Sequence, residues 1–269
     1  MMKSNNILFI RGILLLSALS ILGGCEDKSG IEDRTYQMVW QDEFETDGAP
    51  DNTKWAYDLG AGGWGNNELQ AYTNNAQNVI IEDGALKITA INNGGSYTSA
   101  RIKTQGKFDQ AYGRFEARIK LPWGPGIWPA FWMLGANIET VPWPQCGEID
   151  IMEYRGQQPN LINGTVHGPG YSGGAAITKT YGFENDRFDV DYHVFAIEWG
   201  VDYIQYFVDD VPYLEINPAD LTGEWVYDHP FFLILNVAVG GNYVGFPTAG
   251  TPFPQTMYVD WVRVYREVE

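Results

Sequence analysis

Cysteine, histidine and basic residues are all scarce in this chain. Its 269 residues include two cysteines and three histidines, and 17 Lys and Arg stand against 34 Asp and Glu, for a net charge of −17. Phosphate groups are bound by basic patches, so this balance argues against nucleic acid as a partner. No two histidines have the spacing of metal ligands, which argues against a catalytic zinc site.

Helical periodicity is also missing beyond the first 24 residues. Short runs rich in β-branched and aromatic residues recur instead, separated by Gly, Pro, Asn and Asp. Residues 114–121 alternate between an apolar face and a polar face that includes Glu116, and we expect that polar face to contact water. Residues 231–239 are almost all apolar and should form a central strand. The pattern predicts one all-β domain over residues 35–269, an antiparallel β-sandwich or jelly roll with a concave substrate cleft.

The N-terminal segment lacks the roughly 20 apolar residues that a membrane-spanning helix needs. A basic start and a short apolar run end in two glycines and Cys25, which predicts a secretory signal peptide over residues 1–24. Cys25 then resembles the cysteine of a bacterial lipobox, which is lipidated and becomes the mature N-terminus. An ordinary signal peptide followed by a chance cysteine is the alternative. The polar residues 25–34 read as a flexible tether.

A lipid on Cys25 would hold the protein on the outer membrane or the cell surface after secretion. Cys146 is the one other cysteine of the chain, so no disulfide is expected within the folded domain. Cys146 lies two residues before Glu148, and a thiol nucleophile working with His167 is conceivable. A buried small apolar residue is the favoured interpretation of Cys146.

Aromatic residues are abundant, with ten Trp and sixteen Tyr. Their flat faces stack on the apolar faces of sugar rings while their polar tips stay hydrated, which favours a carbohydrate partner. Glycine-rich stretches at residues 60–67 and 169–176 read as surface loops at the rim of a cleft. The dipeptides Asp83-Gly84 and Asp209-Asp210, each between two β-rich runs, predict tight hairpins.

Three carboxylates interrupt an otherwise apolar run, at Glu148, Asp150 and Glu153. Burying ionised groups is costly, so a strand that only packs would not contain them. Regular alternation places Glu148 and Asp150 on one face and Glu153 on the other. One extra residue between them, a β-bulge, would bring Glu153 to the face of the other two. A solvated row of carboxylates on an edge strand is the alternative.

With the bulge, Glu148 and Glu153 lie four pleat positions apart, about 13 Å between Cα atoms. On a concave, twisted sheet, two long side chains that lean together bring their carboxyls within the roughly 5–5.5 Å used by retaining glycosidases. In that chemistry one carboxylate is the nucleophile and the other is the acid/base.

The carboxylate strand resembles the active-site strand of glycoside hydrolase family 16, in the branch with a bulged Glu-x-Asp-x-x-Glu. Further matching stretches are Trp128-Pro129-Ala130-Phe131-Trp132-Met133-Leu134, Trp143-Pro144, Tyr192-His193, residues 231–241 and Val259-Asp260-Trp261. Together they cover nearly all of residues 36–266, and within the family the chain looks most like the laminarinases. The resemblance implies retaining endo-hydrolysis of a β-1,3-glucan polysaccharide, with Glu148 as nucleophile, Glu153 as acid/base and Asp150 as a helper between them.

The resemblance also implies a set of substrate contacts, of which the Asn, Glu and Arg match positions on the glycone side. The expected substrate-binding residues are Trp128, Trp132, His167, Asn66, Glu68 and Arg101. Core packing of the tryptophans, a structural histidine and loop capping by the Asn and Arg are the alternatives. Laminarinases often have Trp-Pro after Gly-Gly-Asn, whereas this chain has Tyr243-Val244 there. That departure puts one sugar platform in question.

A structural calcium ion is a further implication of the resemblance, since Glu43, the carbonyl of Gly84 and Asp260 match the family's ligands. Oxygen donors from three distant segments would cross-link the two ends of the domain. Three unrelated surface groups are the alternative. The enzyme itself is expected to be a monomer that needs no cofactor for catalysis.

Two competing functions stay open from the sequence. The first is a non-catalytic lipoprotein that binds β-glycans, and the presence of all three carboxylates disfavours it. The second is a transglycosylase, or a hydrolase of another β-linked polysaccharide such as agarose, carrageenan or xyloglucan.

Overall fold

The computed structural model describes residues 34–268. The predicted signal peptide, the proposed lipid site at Cys25 and nearly all of the tether lie outside these residues. Within the described part of the chain, no helix is both long enough and apolar enough to cross a membrane.

Almost all regular structure between residues 34 and 268 is β-strand. Two single-turn 3₁₀ helices, Gly173–Ala175 and Pro218–Asp220, are the exceptions. The strands are β1 (Thr35–Asp42), β2 (Ala56–Asp58), β3 (Gln70–Tyr72), β4 (Val79–Glu82), β5 (Ala85–Asn93), β6 (Ser96–Ser99), β7 (Arg101–Lys103), β8 (Gly113–Lys120), β9 (Ile127–Gly135), β10 (Glu148–Tyr154), β11 (Leu161–His167), β12 (Ile177–Gly182), β13 (His193–Trp199), β14 (Ile204–Val208), β15 (Val211–Ile216), β16 (Phe231–Val239) and β17 (Gln255–Val268).

The strands form two sheets that pack face to face. The larger sheet has the order β15-β14-β13-β8-β17-β5-β6-β3, with β1 beside β17 and β4 beside β5. The smaller sheet has the order β12-β11-β10-β9-β16-β7-β2. Rings from both sheets meet in the core, where Trp199 of β13 and Phe231 of β16 contact edge to face at 5.3 Å between centroids. The predicted β-sandwich of jelly-roll type is confirmed.

Strand β16 lies in the interior of the smaller sheet, as its apolar run predicted. All nine of its residues are buried, between β9 on one side and β7 on the other. The next strand, β9, alternates: its odd-numbered residues are buried in the core, and Trp128 and Trp132 lie on the opposite, partly exposed face. That face of the smaller sheet carries the site described below.

The prediction that the polar face of residues 114–121 contacts water is wrong for Glu116, which is only 8% exposed. Strand β8 lies between β13 and β17, so long side chains from both neighbours cover its outer face. Glu116 accepts hydrogen bonds from Arg114 at 2.9 Å and from the Tyr265 hydroxyl at 3.0 Å. A buried carboxylate is tolerated there because an arginine neutralises it.

Both predicted hairpins are present. Asp83 and Gly84 join β4 to β5 with φ values of 57° and 73°, the left-handed pair that a two-residue turn of this twist requires. Asp209 and Asp210 join β14 to β15 with φ values of 49° and 62°. Aspartate tolerates this conformation, and the Asp209 carboxylate is held by the backbone N–H of Val194 at 2.8 Å.

Candidate active site

The β-bulge predicted in β10 is present. Asp150 pairs with Thr165 of β11, and the next pair joins Glu153 to Asn163. Strand β10 therefore advances three residues where β11 advances two. The same shift occurs against β9 on the other side. The two residues between Asp150 and Glu153 are both buried in the core. Glu148, Asp150 and Glu153 therefore share one face, and they line one cleft.

Each of these carboxylates has a polar neighbour directly opposite on β11. The pairs are Glu148 with His167, Asp150 with Thr165 and Glu153 with Asn163. The polar face of β11 thus borders the cleft.

Burial governs the protonation of the three carboxyls. It raises the pKa of Glu148 to about 8, and the neighbouring Asp150 charge adds to the shift. Burial also raises the pKa of Glu153 to about 7, opposed by His167 and reinforced by Glu148. The pKa of Asp150 rises well above its usual range through burial and then through repulsion from Glu153. The cluster therefore keeps protons near neutral pH, so one member can act as an acid while another is ionised.

Neutral donors hold the two glutamates in place. The Trp143 indole N–H donates to Glu148 Oε2 at 2.7 Å. The Trp128 indole N–H and the Thr165 hydroxyl donate to the two oxygens of Glu153, at 3.2 and 3.3 Å. Such bonds fix each carboxyl without adding a compensating charge.

His167 contacts the carboxyl cluster directly. The backbone N–H of Gly173 donates to its Nδ1 at 3.1 Å, so the proton of the neutral ring lies on Nε2. Nε2 is 3.2 Å from Asp150 Oδ2 and 3.8 Å from Glu148 Oε1. These three side chains bring donor atoms within 4.8 Å of one another, a spacing compatible with a metal ion. The ring would first have to lose the proton that faces Asp150 before Nε2 could bind a metal ion.

An open cleft of about 770 Å³ runs over the carboxyl cluster. Its lining includes every substrate-binding residue that the sequence predicted, namely Trp128, Trp132, His167, Asn66, Glu68 and Arg101. The glycine-rich loops at residues 60–67 and 169–176 both contribute to the rim, as expected.

One side of the cleft is built around Arg101 of β7. Its guanidinium lies over the Trp132 ring at 4.6 Å and the Trp64 ring at 5.2 Å. Its Nε pairs with Asp58 at 2.8 Å, which compensates the charge. Glu68 lies nearby, and burial raises its pKa, opposed by hydrogen bonds from Gln70, Asn66 and Tyr72 and by the charge of Arg101. This side combines aromatic faces with fixed polar groups, as in sugar-binding sites generally.

Tyr243 lies beside the acid cluster. Its ring contacts Trp128 at 4.9 Å between centroids, and the Arg155 guanidinium lies over it at 4.1 Å. The Asn163 amide donates to the Tyr243 hydroxyl at 2.6 Å. The departure seen in the sequence therefore places a tyrosine in the cleft wall, in contact with Trp128 and Arg155.

Several lining residues were not predicted as site residues. They are Trp64, Trp143, Arg155, Thr165, Asn236 and Tyr243. Trp143 and Tyr243 stood within or beside stretches that resemble the family, so the resemblance was the available signal for them. Nothing in the local pattern marks Asn236, which accepts the Trp132 indole N–H at 2.7 Å from within a wholly buried strand.

The three predicted calcium ligands lie next to one junction of strands in the larger sheet. Strands β5 and β1 pair with successive parts of one edge of β17, and Asp260 lies between those parts. Gly84 immediately precedes β5, and Glu43 immediately follows β1. This backbone placement fits a cation site with hard oxygen donors.

The side chains at this junction already have cationic partners. Both oxygens of Glu43 accept hydrogen bonds from Arg263, at 2.8 and 2.9 Å. Asp260 Oδ2 is 2.6 Å from Arg118. A bound cation would therefore share these carboxylates with the two arginines.

Cys146 is fully buried and lines no part of the cleft. Burial raises the pKa of its thiol to about 11. A thiol nucleophile is therefore disfavoured, and Cys146 packs as a small apolar residue.

A pair of buried glutamates on one face of a strand, beneath an open groove with tryptophan walls, suits the cleavage of a glycosidic bond. Fold and site together define a glycoside hydrolase. Comparison with known proteins is more specific. The family described as "Glycosyl hydrolases family 16" matches residues 66–263, and the chain belongs to that family.

Similar proteins include characterised β-glucan hydrolases. The chain is 42% identical to a β-glucanase of Rhodothermus marinus over 268 residues, which is 93% of each chain. The catalytic domain of an endo-1,3-β-glucanase (laminarinase) from Thermotoga petrophila is 47% identical, with a TM-score of 0.83, over 88% of this chain and 100% of that one. The laminarinase of Rhodothermus marinus is 42% identical, with a TM-score of 0.82, and the same shares of the two chains are covered.

Proposed function

We propose that this protein is a retaining endo-β-1,3-glucanase of the laminarinase type, with Glu148 as nucleophile and Glu153 as acid/base. The observation that carries the proposal is the bulge in β10, which puts both glutamates in one cleft. Identities of 42–47% to laminarinases that are covered in full support β-1,3-glucan as the substrate.

In the first step of the proposed reaction, Glu148 attacks the anomeric carbon and the bond to the leaving oxygen breaks. Glu153 gives its proton to that oxygen, and a covalent glycosyl ester forms on Glu148. In the second step Glu153, now ionised, takes a proton from water, which attacks the same carbon and releases Glu148. Two displacements at one carbon preserve the β configuration.

Asp150 and His167 prepare Glu148 for this attack. Asp150 lies one pleat away, and its Oδ2 is 3.2 Å from His167 Nε2. A hydrogen bond between Asp150 and Glu148 holds the Glu148 carboxyl, and His167 and Trp143 oppose the rise in its pKa and so favour the ionised form that the nucleophile requires. Trp143 donates to the same carboxylate.

The non-reducing part of the glucan lies on the Arg101 side in this proposal. Trp132 and Trp64 offer ring surface there, and Asn66, Glu68 and Asn236 offer polar groups. The aglycone part then lies beyond β10, over β11 and β12.

The test is a panel of polysaccharides with analysis of the released oligosaccharides. We expect laminarin to be cleaved internally and faster than mixed-linkage glucan, and agarose to stay intact. The Glu153→Gln variant is the matched control, since it keeps the shape of the site and lacks the acid. Efficient cleavage of agarose with laminarin untouched contradicts the proposal. Binding of laminarin without any cleavage by the wild type indicates a glycan-binding protein instead.

We also propose a structural calcium ion at the junction of Glu43, Gly84 and Asp260. A ligand that binds only the folded state raises stability by mass action. Added calcium should raise the Tm and a chelator should lower it, by a few degrees, without a change in kcat. The Asp260→Ala variant should lose this response. An unchanged midpoint under all conditions excludes the ion, and the Arg118 and Arg263 pairs then suffice for this junction.

The proposed location is the outside of the cell, with a lipid on Cys25 as membrane anchor and a monomeric catalytic domain. Residues 1–24 carry the pattern of a lipoprotein signal. Mass spectrometry of the N-terminal peptide should show a lipid-modified Cys25, and Cys25→Ser should release the protein from membranes. Light scattering of the domain should give the mass of one chain. An unmodified Cys25 in a membrane fraction contradicts the anchor.

A further inference from the structure

Two arginines line the cleft, and they differ in what they contact. Arg101, on one side of the carboxyl cluster, pairs with Asp58 at 2.8 Å. Arg155, one residue beyond Glu153 along the chain, has no carboxylate within ion-pair distance among residues 34–268, and its buried Nε–H has no acceptor. Leaving a buried donor without a partner costs free energy, so the position of the Arg155 Nε–H does not stabilise the fold.

The position of Arg155 follows from the bulge. Glu153 faces the cleft and Tyr154 faces the core, so alternation returns Arg155 to the cleft face one residue beyond the acid. There the guanidinium carbon lies over the Tyr243 ring, 4.1 Å from its centroid. Tyr243 in turn contacts Trp128, with 4.9 Å between the two ring centroids. This stack fixes the plane and the edge of the guanidinium.

Tyr243 has its own unused donor. Thr180 donates to the Asn163 Oδ1 at 2.6 Å, and the Asn163 amide donates to the Tyr243 hydroxyl oxygen at 2.6 Å. This chain fixes the amide orientation, and the tyrosine hydroxyl proton is left to point elsewhere. No contact among the described residues takes that proton. The Arg155 Nε–H and the Tyr243 O–H thus form a donor pair beside Glu153.

A donor pair with no protein acceptor complements oxygen lone pairs on a ligand. Asn163 and Thr180 belong to β11 and β12, which lie on the opposite side of β10 from Arg101. On the proposed function, on which this step rests, that is the side of the departing sugar. We propose that Arg155, oriented by Tyr243, is a specificity-determining residue that donates hydrogen bonds to hydroxyl oxygens of the first sugar on the leaving side.

The test compares two substrates that differ only on the leaving side. Laminarihexaose places sugars on both sides of Glu148, whereas a nitrophenyl β-laminaribioside has an aryl leaving group and no sugar there. The Arg155→Met variant keeps the stem and removes every donor. We expect a fall of about 10- to 100-fold in kcat/KM on the hexaose and less than 2-fold on the aryl glycoside, since the lost contact is made only by the hexaose.

Matched variants separate this role from a structural one. Arg155→Lys should recover part of the loss on the hexaose, and Tyr243→Phe should lose less than Arg155→Met on the same substrate. Arg101→Met should lose activity on both substrates, because both carry sugars on its side. An equal loss on the two substrates by Arg155→Met, or no loss on either, overturns the inference. If the wild type cleaves neither substrate, the proposed function itself is wrong. The comparison of Arg155→Met with the wild type tests the role of Arg155 alone.

Discussion

Buried carboxylates occur in both sheets, and the two sheets treat them in opposite ways. In the larger sheet Glu116 and Glu198, each 8% exposed, contact Arg114 at 2.9 and 3.1 Å. In the smaller sheet Asp150 and Glu153 are 3% and 8% exposed, and no arginine or lysine among the described residues lies within ion-pair distance of either. Carboxylates that are equally buried are therefore paired with an arginine in the larger sheet and have no such partner in the smaller sheet.

The difference separates a structural use of charge from a chemical one. An arginine next to a buried carboxylate compensates its charge, as in the larger sheet. Without the cation, burial raises the pKa towards neutrality, as it does for Glu153. The smaller sheet thus accepts a cost in stability in return for groups that can exchange protons at physiological pH.

The largest expected effect is on catalysis. Glu148→Ala and Glu153→Ala should each lower kcat/KM on laminarin by roughly 10³-fold or more, about 4 kcal/mol of transition-state stabilisation. Circular dichroism and the Tm should show an intact fold in both variants, since neither side chain joins an ion pair with Lys or Arg in the described structure. Turnover like that of the wild type in either variant contradicts the assignment.

The next effect tests the paired carboxylates of the larger sheet. Arg114→Met should destabilise the fold by about 3 kcal/mol, because it leaves Glu116 and Glu198 as buried charges without compensation. Denaturant unfolding measures this loss. The control is Lys87→Met, whose partners Glu82 and Asp83 are exposed and whose loss should cost less than about 1 kcal/mol. Equal losses in both variants would remove the distinction between buried and exposed pairs.

The smallest effect has the opposite sign and depends on pH. The pKa of Glu153 rises on folding from 4.5 to about 7, so the folded state holds its proton more tightly than the unfolded state does. Its favourable contribution is complete below pH 4.5 and is lost as the pH rises towards 7. Glu153→Gln removes the ionisable group, so the variant does not lose this stability as the pH rises. The variant should therefore be more stable than the wild type at pH 8, by roughly 1–2 kcal/mol, and the difference should vanish near pH 4.

The control for that experiment is Glu45→Gln, which changes an exposed glutamate. It should alter stability by less than about 0.5 kcal/mol at either pH. A Glu153→Gln variant that is less stable than the wild type at pH 8 would show that Glu153 stabilises the fold after all.

The carboxyl face of the site could be predicted from the sequence because a strand has a strict period of two. Glu148 and Asp150 agree with that period and Glu153 does not, so a single bulge accounts for all three. The hairpin at Asp83-Gly84 was equally predictable, since its backbone conformation restricts the residue types.

Contacts between distant strands were beyond such local reasoning. Glu116 looked solvated because alternation states which face a residue occupies, not what covers that face. Nothing in the sequence around Arg155 is unusual. Its guanidinium is oriented by contact with Tyr243, which lies in a loop 88 positions further along the chain. Tertiary neighbours decide how far a side chain is buried and whether its charge is paired. Neither property can be predicted from a short stretch of sequence.

The stereochemistry of the first product tests the central claim, that the bulge makes Glu148 and Glu153 a cooperating pair. Proton NMR of laminari-oligosaccharide hydrolysis should show the β anomer first, with the α anomer appearing only through mutarotation. A fluorinated activated glycoside should in addition trap an ester on Glu148 that peptide mass spectrometry detects. An α anomer as the first product would require carboxyls roughly 6.5–9.5 Å apart with water between them, and it would contradict the two-displacement account.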